Sequence, residues 1–168
     1  MTGELSRLEK LYYRLEAQQV CLAWAFAQIA DKPGVVFELG LGHGRTFDHI
    51  RKHLPGREIF VFDREVDAYL DCRPDPAQLI LGDIADTLPE AKARFGGRVI
   101  LAHSDVGSYP AEHNARIAQV VSANLAPVLA DGALILSDLP LTITNTTRLP
   151  VPSGAREDRY NIYRFGRG

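Results

Sequence analysis

Hydrophobic positions in the first thirty residues recur at intervals of three, four and seven. Leu5, Leu8, Tyr12, Leu15, Leu22, Phe26 and Ile29 share one helical face, and Gln19 is the polar break in that stripe. The spacing predicts one long helix over residues 4–30. It ends at Asp31-Lys32-Pro33-Gly34, because proline cannot continue a helix and glycine permits a reversal. Such a stripe either packs on a core or meets a second copy of the chain in a homo-oligomer. Beyond Gly34 the period changes: residues 35–39 form a short apolar run before a glycine cluster, the pattern of a buried parallel strand.

The alternation then repeats. Helices are predicted over 45–54, 65–70, 85–95 and 112–129, interleaved with strands over 58–62, 78–81, 98–102 and 133–137. After Pro140 the chain becomes β-rich, with strands over 141–149 and 160–165 around a turn at Ser153-Gly154. These elements predict an α/β fold: a doubly wound, mostly parallel seven-stranded sheet with helices on both faces. A C-terminal antiparallel hairpin closes it, and a long N-terminal helix precedes it. One domain is expected over 1–168, divided into the helix (1–31), the βα core (35–138) and the hairpin (141–168). Ligands of such sheets bind beyond the carboxyl ends of the strands. That directs attention to residues 38–44, Asp63, Asp83, residues 103–105 and Asp138.

Composition narrows the function. With 46% hydrophobic and 24% charged residues in 168, the chain is neither disordered nor membrane-spanning. A net charge of -2 argues against a nucleic-acid partner. Cys21 and Cys72 cannot build a disulfide framework and lack metal-type spacing. The first residues lack the basic start and apolar run of a secretory signal, so the expected location is cytoplasmic, with no membrane partner. The charge is uneven. Residues 60–90 carry eight acids against Arg64 and Arg73, a balance of -6, whereas residues 141–168 carry five arginines against Glu157 and Asp158, a balance of +3. Both stretches read as solvated surface, or as an acidic pocket beside a basic lip suited to an anionic substrate.

The strongest local signal is Glu38-Leu39-Gly40-Leu41-Gly42-His43-Gly44, between a predicted strand and a predicted helix. Glycines there permit a tight turn and let a ligand approach backbone amides that the following helix leaves unpaired. The spacing is G-x-G-x-G and not the G-x-G-x-x-G of dinucleotide folds. His43 reads as a surface histidine of the loop.

With its acidic residue, one spacer and G-x-G-x-G, this segment resembles the first motif of the class I (Rossmann-like) S-adenosylmethionine-dependent methyltransferases. The resemblance, which extends over residues 35–138, implies an enzyme that uses S-adenosyl-L-methionine and releases S-adenosyl-L-homocysteine. It assigns Glu38, Gly40, Leu41, Gly42 and Gly44 to the methionine end of the cofactor. Asp63 stands 19 residues beyond Gly44 at the end of the second strand, where the family holds the ribose hydroxyls, and Arg64 follows it. A carboxylate there accepts two hydrogen bonds from a vicinal diol. Asp83 and Ile84 match the position beside the adenine, the acid as acceptor and the isoleucine as packing surface. Each acid alone also reads as a helix cap.

Methyl transfer from a sulfonium requires in-line alignment and, for a hydroxyl acceptor, removal of a proton. His103, Ser104 and Asp105 end the fourth predicted strand, before residues 106–110. The resemblance implies a proton-abstracting or cofactor-side role for His103 and a substrate-orienting role for Asp105; the alternative is that both bond only to loop backbone. The N/D-P-P-Y/F tetrad of amino-methylating relatives is missing here, which disfavours base amines. Leu136-Ser137-Asp138 is similar to the strand end of catechol-type O-methyltransferases, where acids and an Asn bind a divalent metal. Leu139 stands where that Asn would be, so a metal is not expected. The expected acceptor is a small molecule with an O- or N-nucleophile, and the basic C-terminal stretch suits an anionic one. Two other classes stand beside this reading: a non-catalytic S-adenosylmethionine sensor or complex subunit, and a nicotinamide-dependent oxidoreductase, which the glycine spacing weakens.

Overall fold

The computed structural model describes residues 3–108 and 110–166; Met1, Thr2, Tyr109, Arg167 and Gly168 lie outside the described residues. The first helix, α1 (Arg7–Ile29), is capped by Ser6 and Glu9, each side chain bonding the other's backbone amide. Its buried face begins only at Ala17, and Leu8, Leu11, Tyr12 and Leu15 stay at least half exposed. Five parallel strands follow, β1 (Val35–Leu39), β2 (Ile59–Asp63), β3 (Leu79–Leu81), β4 (Val99–Ser104) and β5 (Leu129–Ser137). They alternate with α2 (Arg45–His53), α3 (Ile84–Phe95) and α4 (Ala111–Asn124). The hairpin strands β6 (Thr146–Leu149) and β7 (Asn161–Phe165) complete a sheet of order β3-β2-β1-β4-β5-β7-β6, with β7 antiparallel to both neighbours.

Alternation along the central strands sorts side chains onto two faces. Val36, Ile59, Val61, Leu101, Leu134 and Leu136 pack with Leu22, Phe26, Phe47 and Ile50 of α1 and α2. Phe37, Leu39, Phe60, Phe62 and Ile135 pack with Leu88, Phe95, Ile117 and Val121 of α3 and α4. The expected doubly wound sheet with its reversed last strand is the observed fold. The order reverses between β1 and β4, and a crevice lies beyond the carboxyl ends of the strands at that point. No helix among the described residues is long and apolar enough to cross a membrane.

Several predicted elements differ. The helix expected over 65–70 is replaced by irregular chain and a short 3-10 turn (Leu70–Cys72). This segment follows the glycine loop: the Tyr69 amide bonds the His43 carbonyl at 3.0 Å, and Ala68 and Cys72 press against Gly44. The strand expected over 141–149 shrinks to Thr146–Leu149, because Leu141 and Ile143 turn into the core and the Leu141 amide donates to the Tyr163 hydroxyl. β5 starts four residues earlier than expected and carries Asp131-Gly132 within it, where Gly132 has a φ of 77° and the register with β4 shifts. The helix expected over 112–129 stops at Asn124, followed by a 3-10 turn that carries Pro127.

Candidate functional site

β1 ends in Glu38-Leu39 and the glycine loop turns at once. Gly40, Gly42 and Gly44 all have left-handed φ values, 90°, 51° and 85°. A Cβ on Gly40 would lie 2.6 Å from the Asp105 carbonyl, so the loops after β1 and β4 meet at a distance only glycine permits. A Cβ on Gly42 would meet nothing within 4 Å, which leaves that side of the loop open to a ligand. Gly44 caps α2 and packs against Cys72.

The crevice at the strand reversal is a cleft of about 280 Å³. Gly40, Gly42, Asp63, Arg64, Asp105 and Gly107 line it, and Phe62, Ile84, Val106 and Ile117 supply an apolar slot. Asp63 holds the glycine loop directly: Oδ2 accepts from the Leu41 and Gly42 amides at 2.7 and 3.3 Å. Its Oδ1 accepts from the Arg64 and Glu65 amides at 2.6 and 3.4 Å. Asp83 caps α3 through the Ala85 amide at 2.9 Å and pairs with Arg64 at 2.8 Å. The amide bond first, and Arg64 after it, hold its carboxyl below the usual carboxylate range. Asp83 therefore acts as a cap in this structure, while its neighbours Gly82 and Ile84 line the cleft.

Glu38 and His103 are opposite one another in the register of β1 and β4, and both point to the α1 face. Both are fully buried, with Glu38 Oε1 and His103 Nδ1 2.7 Å apart. His103 Nε2 bonds the buried Tyr160 hydroxyl, just before β7. Gln18 Nε2 then donates to that hydroxyl at 3.3 Å and to Asp105 Oδ2 at 3.1 Å, and Arg14 binds Asp105 Oδ1. A continuous polar chain thus links α1, the end of β4, β7 and the base of the glycine loop. Burial, offset in part by His103, pushes the Glu38 carboxyl up to about 7. Burial alone disfavours the charged His103 imidazole, yet the adjacent Glu38 outweighs it and the net shift is upward. His103 thus stands behind the cleft wall with both ring nitrogens engaged, whereas Asp105 reaches the cleft itself.

A second cleft, of about 460 Å³, adjoins the first at Gly107. Arg7, Lys10, Arg14 and Arg159 line it together with Asp138 and Asp158. Asp138 Oδ2 accepts from the Gly107 amide at 2.8 Å, while its buried Oδ1 has no partner. Burial and then the Asp105 charge raise the Asp138 carboxyl. Among the described residues, no group of three or more His, Cys, Asp or Glu stands close enough to hold a metal ion.

Of the sequence-assigned residues, Gly40, Gly42, Asp63, Arg64, Ile84 and Asp105 converge on the first cleft. Glu38, Leu41, Gly44 and His103 support it from behind, and Asp83 borders it. Sequence reasoning missed Gln18, although it sits three residues after Leu15 and four before Leu22, a polar side chain inside the apolar stripe. It also missed Arg14, one turn earlier, and Tyr160, whose place only the return of β7 reveals.

The chemistry of the first cleft fits S-adenosylmethionine. Each Asp63 oxygen makes one short bond, to the Leu41 amide of the loop or to the following Arg64 amide, and one long, weak contact that a ribose diol can displace. The apolar slot accepts a flat ring, and the buried Glu38 carboxyl at the base of the glycine loop keeps Oε2 unpartnered.

Comparison with known proteins agrees with this geometry. A family profile described as S-adenosyl-L-methionine methyltransferase matches residues 5–165. The crystal structure of an S-adenosyl-L-methionine methyl transferase from Silicibacter pomeroyi DSS-3 is 45% identical, with a TM-score of 0.93 over 97% of this chain and 100% of that one. Two distant structures share the fold. The antibiotic-resistance methyltransferase Kmr is 15% identical, with a TM-score of 0.53 over 84% of this chain and 91% of its own. The 1,6-didemethyltoxoflavin-N1-methyltransferase of Burkholderia thailandensis, solved with 1,6-didemethyltoxoflavin and S-adenosylhomocysteine, is 12% identical, with a TM-score of 0.52 over 99% and 94% of the two chains. No curated protein matches the chain.

Proposed function

The chain belongs to the S-adenosyl-L-methionine methyltransferase family, and from that premise we propose that it methylates a small anionic molecule through an oxygen or nitrogen nucleophile. The observation that carries this reading is the basic cleft, whose four cations face two acids and which joins the cofactor cleft at Gly107. S-adenosyl-L-methionine supplies the electrophilic methyl group when bound. Gly40 and Gly42 admit it to the loop backbone, Asp63 holds its diol, and Ile84 packs on its ring. Arg7, Lys10 and Arg159 attract the anionic end of the acceptor. Asp105, fixed by Arg14 and Gln18, orients the acceptor's nucleophilic end at the junction of the two clefts. In-line alignment of the two reactants is the main contribution asked of the protein. His103 acts through Glu38 and not on the acceptor.

We further propose that the chain works as one cofactor-binding domain, and that α1 mediates a homo-oligomer through its exposed apolar turn. Its free, buried cysteines suit a cytoplasmic location. The test has two stages. S-adenosylhomocysteine should raise the melting temperature. Labelled S-adenosyl-L-methionine should then transfer its methyl to small hydroxy- or amino-carboxylates and not to their neutral amides or esters. Equal transfer to the neutral set would refute the anionic assignment.

A further inference from the structure

The buried chain of polar groups between α1 and the glycine loop has a definite hydrogen-bond direction. Gln18 Nε2 is a donor, and it faces both the Tyr160 hydroxyl and Asp105 Oδ2. The hydroxyl already receives a Gln18 N–H, so its own single proton needs an acceptor, and its other recorded contact is His103 Nε2. His103 Nε2 is then unprotonated and Nδ1 carries the hydrogen, which it donates to Glu38 Oε1. That assignment gives Glu38 Oε1 the donor that a buried carboxylate needs, and it leaves Glu38 Oε2 without a partner.

We infer that Tyr160 and Gln18 are positioning residues: through His103 they keep Glu38 ionised under the glycine loop, and through the Gln18 bond to Asp105 they fix the acidic wall of the methyl-transfer cleft. Neither residue reaches the cofactor cleft. Both are buried, Tyr160 at 1% exposure and Gln18 at 8%. Removing the Tyr160 hydroxyl strands His103 Nε2 without a donor. No contact then fixes the ring hydrogen on Nδ1; in the other tautomer Nδ1 and Glu38 Oε1 face each other as two acceptors, and their bond is restored only when Glu38 takes up a proton from solvent. The negative charge beneath the loop is lost although Glu38 itself is untouched. The inference rests on the family's cofactor and is independent of which acceptor fills the basic cleft.

Two variants test it in the whole chain. Tyr160→Phe keeps the ring and removes the hydroxyl alone. At about pH 8, above the Glu38 titration, nitrogen NMR of the histidine rings should show His103 with a bare Nε2 in the parent and lose that pattern in the variant. Calorimetric titration with S-adenosylhomocysteine, well below the melting temperature, should show the dissociation constant rising by about tenfold. Gln18→Met should weaken S-adenosylhomocysteine several-fold while leaving the His103 pattern intact, because the Tyr160 hydroxyl still donates to Nε2. An unchanged His103 signal together with unchanged affinity in Tyr160→Phe overturns the inference. If that variant does not fold, unchanged affinity in Gln18→Met overturns it. S-adenosylhomocysteine failing to bind the parent chain would refute the cofactor reading instead.

Discussion

Asp63 joins the loop and the expected ribose site in one side chain, so its replacement separates structure from binding. In the folded chain its short bond to the Leu41 amide at 2.7 Å pins the glycine loop against the end of β2, and its short bond to the Arg64 amide at 2.6 Å holds the turn that leaves β2. Its two long ones, at 3.3 and 3.4 Å, are what a diol would displace. Asp63→Ala strips both short bonds to a charged acceptor. At about 1–1.5 kcal/mol each in this half-exposed setting, the loss is about 2–3 kcal/mol. That corresponds to a fall in melting temperature of roughly 5–10 °C for a chain of this length. Asp63→Asn keeps one carbonyl oxygen for the Leu41 amide and should lose about half as much stability. The diol, however, loses its charged acceptor in both variants, which costs about 1–3 kcal/mol, or 5- to 150-fold in affinity for S-adenosylhomocysteine. Thermal unfolding and calorimetric titration on the same samples measure the two effects apart. If Asp63→Asn binds S-adenosylhomocysteine within about twofold of the parent, Asp63 is only a loop anchor and the ribose assignment falls.

Other outcomes follow from the same geometry. Burial raises the Glu38 carboxyl from 4.5 to about 7, so the folded state holds a proton that the unfolded chain releases. The raised His103 acts in the same sense, so stability relative to Glu38→Gln should fall as pH rises through that window. Urea unfolding at stepped pH checks this; a difference that stays constant with pH would sink the assignment of the pair. Gly42→Ala should cost about 1 kcal/mol of stability for its left-handed φ but weaken S-adenosylhomocysteine much more. Gly40→Ala, whose Cβ would strike the Asp105 carbonyl, should chiefly lower the melting temperature; the reverse ranking would place the ligand elsewhere. Once an anionic acceptor is found, Arg7→Ala and Lys10→Ala should raise its KM by roughly 3- to 10-fold with little change in kcat, an effect that fades in high salt. A loss confined to kcat would remove the basic cleft from acceptor binding.

Most of the sheet was legible because each buried parallel strand is a short apolar run bounded by glycine, proline or aspartate, and those signals are local. Where an element depended on what lay beside it, the sequence misled. Residues 65–70 have the composition of a helix, but their backbone is claimed by His43 and Asp63. Residues 141–145 alternate like a strand, but Leu141 and Ile143 are drawn into the core beneath β7. At the site, Asp63, Ile84 and the glycine triplet were legible because strand-end position and spacing fix them. His103 was legible as a neighbour of the site and illegible in role: nothing local tells whether a polar residue at the end of β4 faces the crevice or the packed side of the sheet.

The sequence by itself therefore determined the βα order, the glycine loop and the acids at the strand ends, since these depend on residues close together in the chain. Only the tertiary structure decided that Glu38 and His103 are cross-strand partners, that Tyr160 and Gln18 seal them from behind, and that Arg7, Lys10 and Arg159 converge on one cleft. The Gln18–Tyr160 contact alone joins residues 142 positions apart. Their partners are chosen by sheet register and by the packing of α1 against the sheet, which no local pattern of hydrophobic and polar residues encodes.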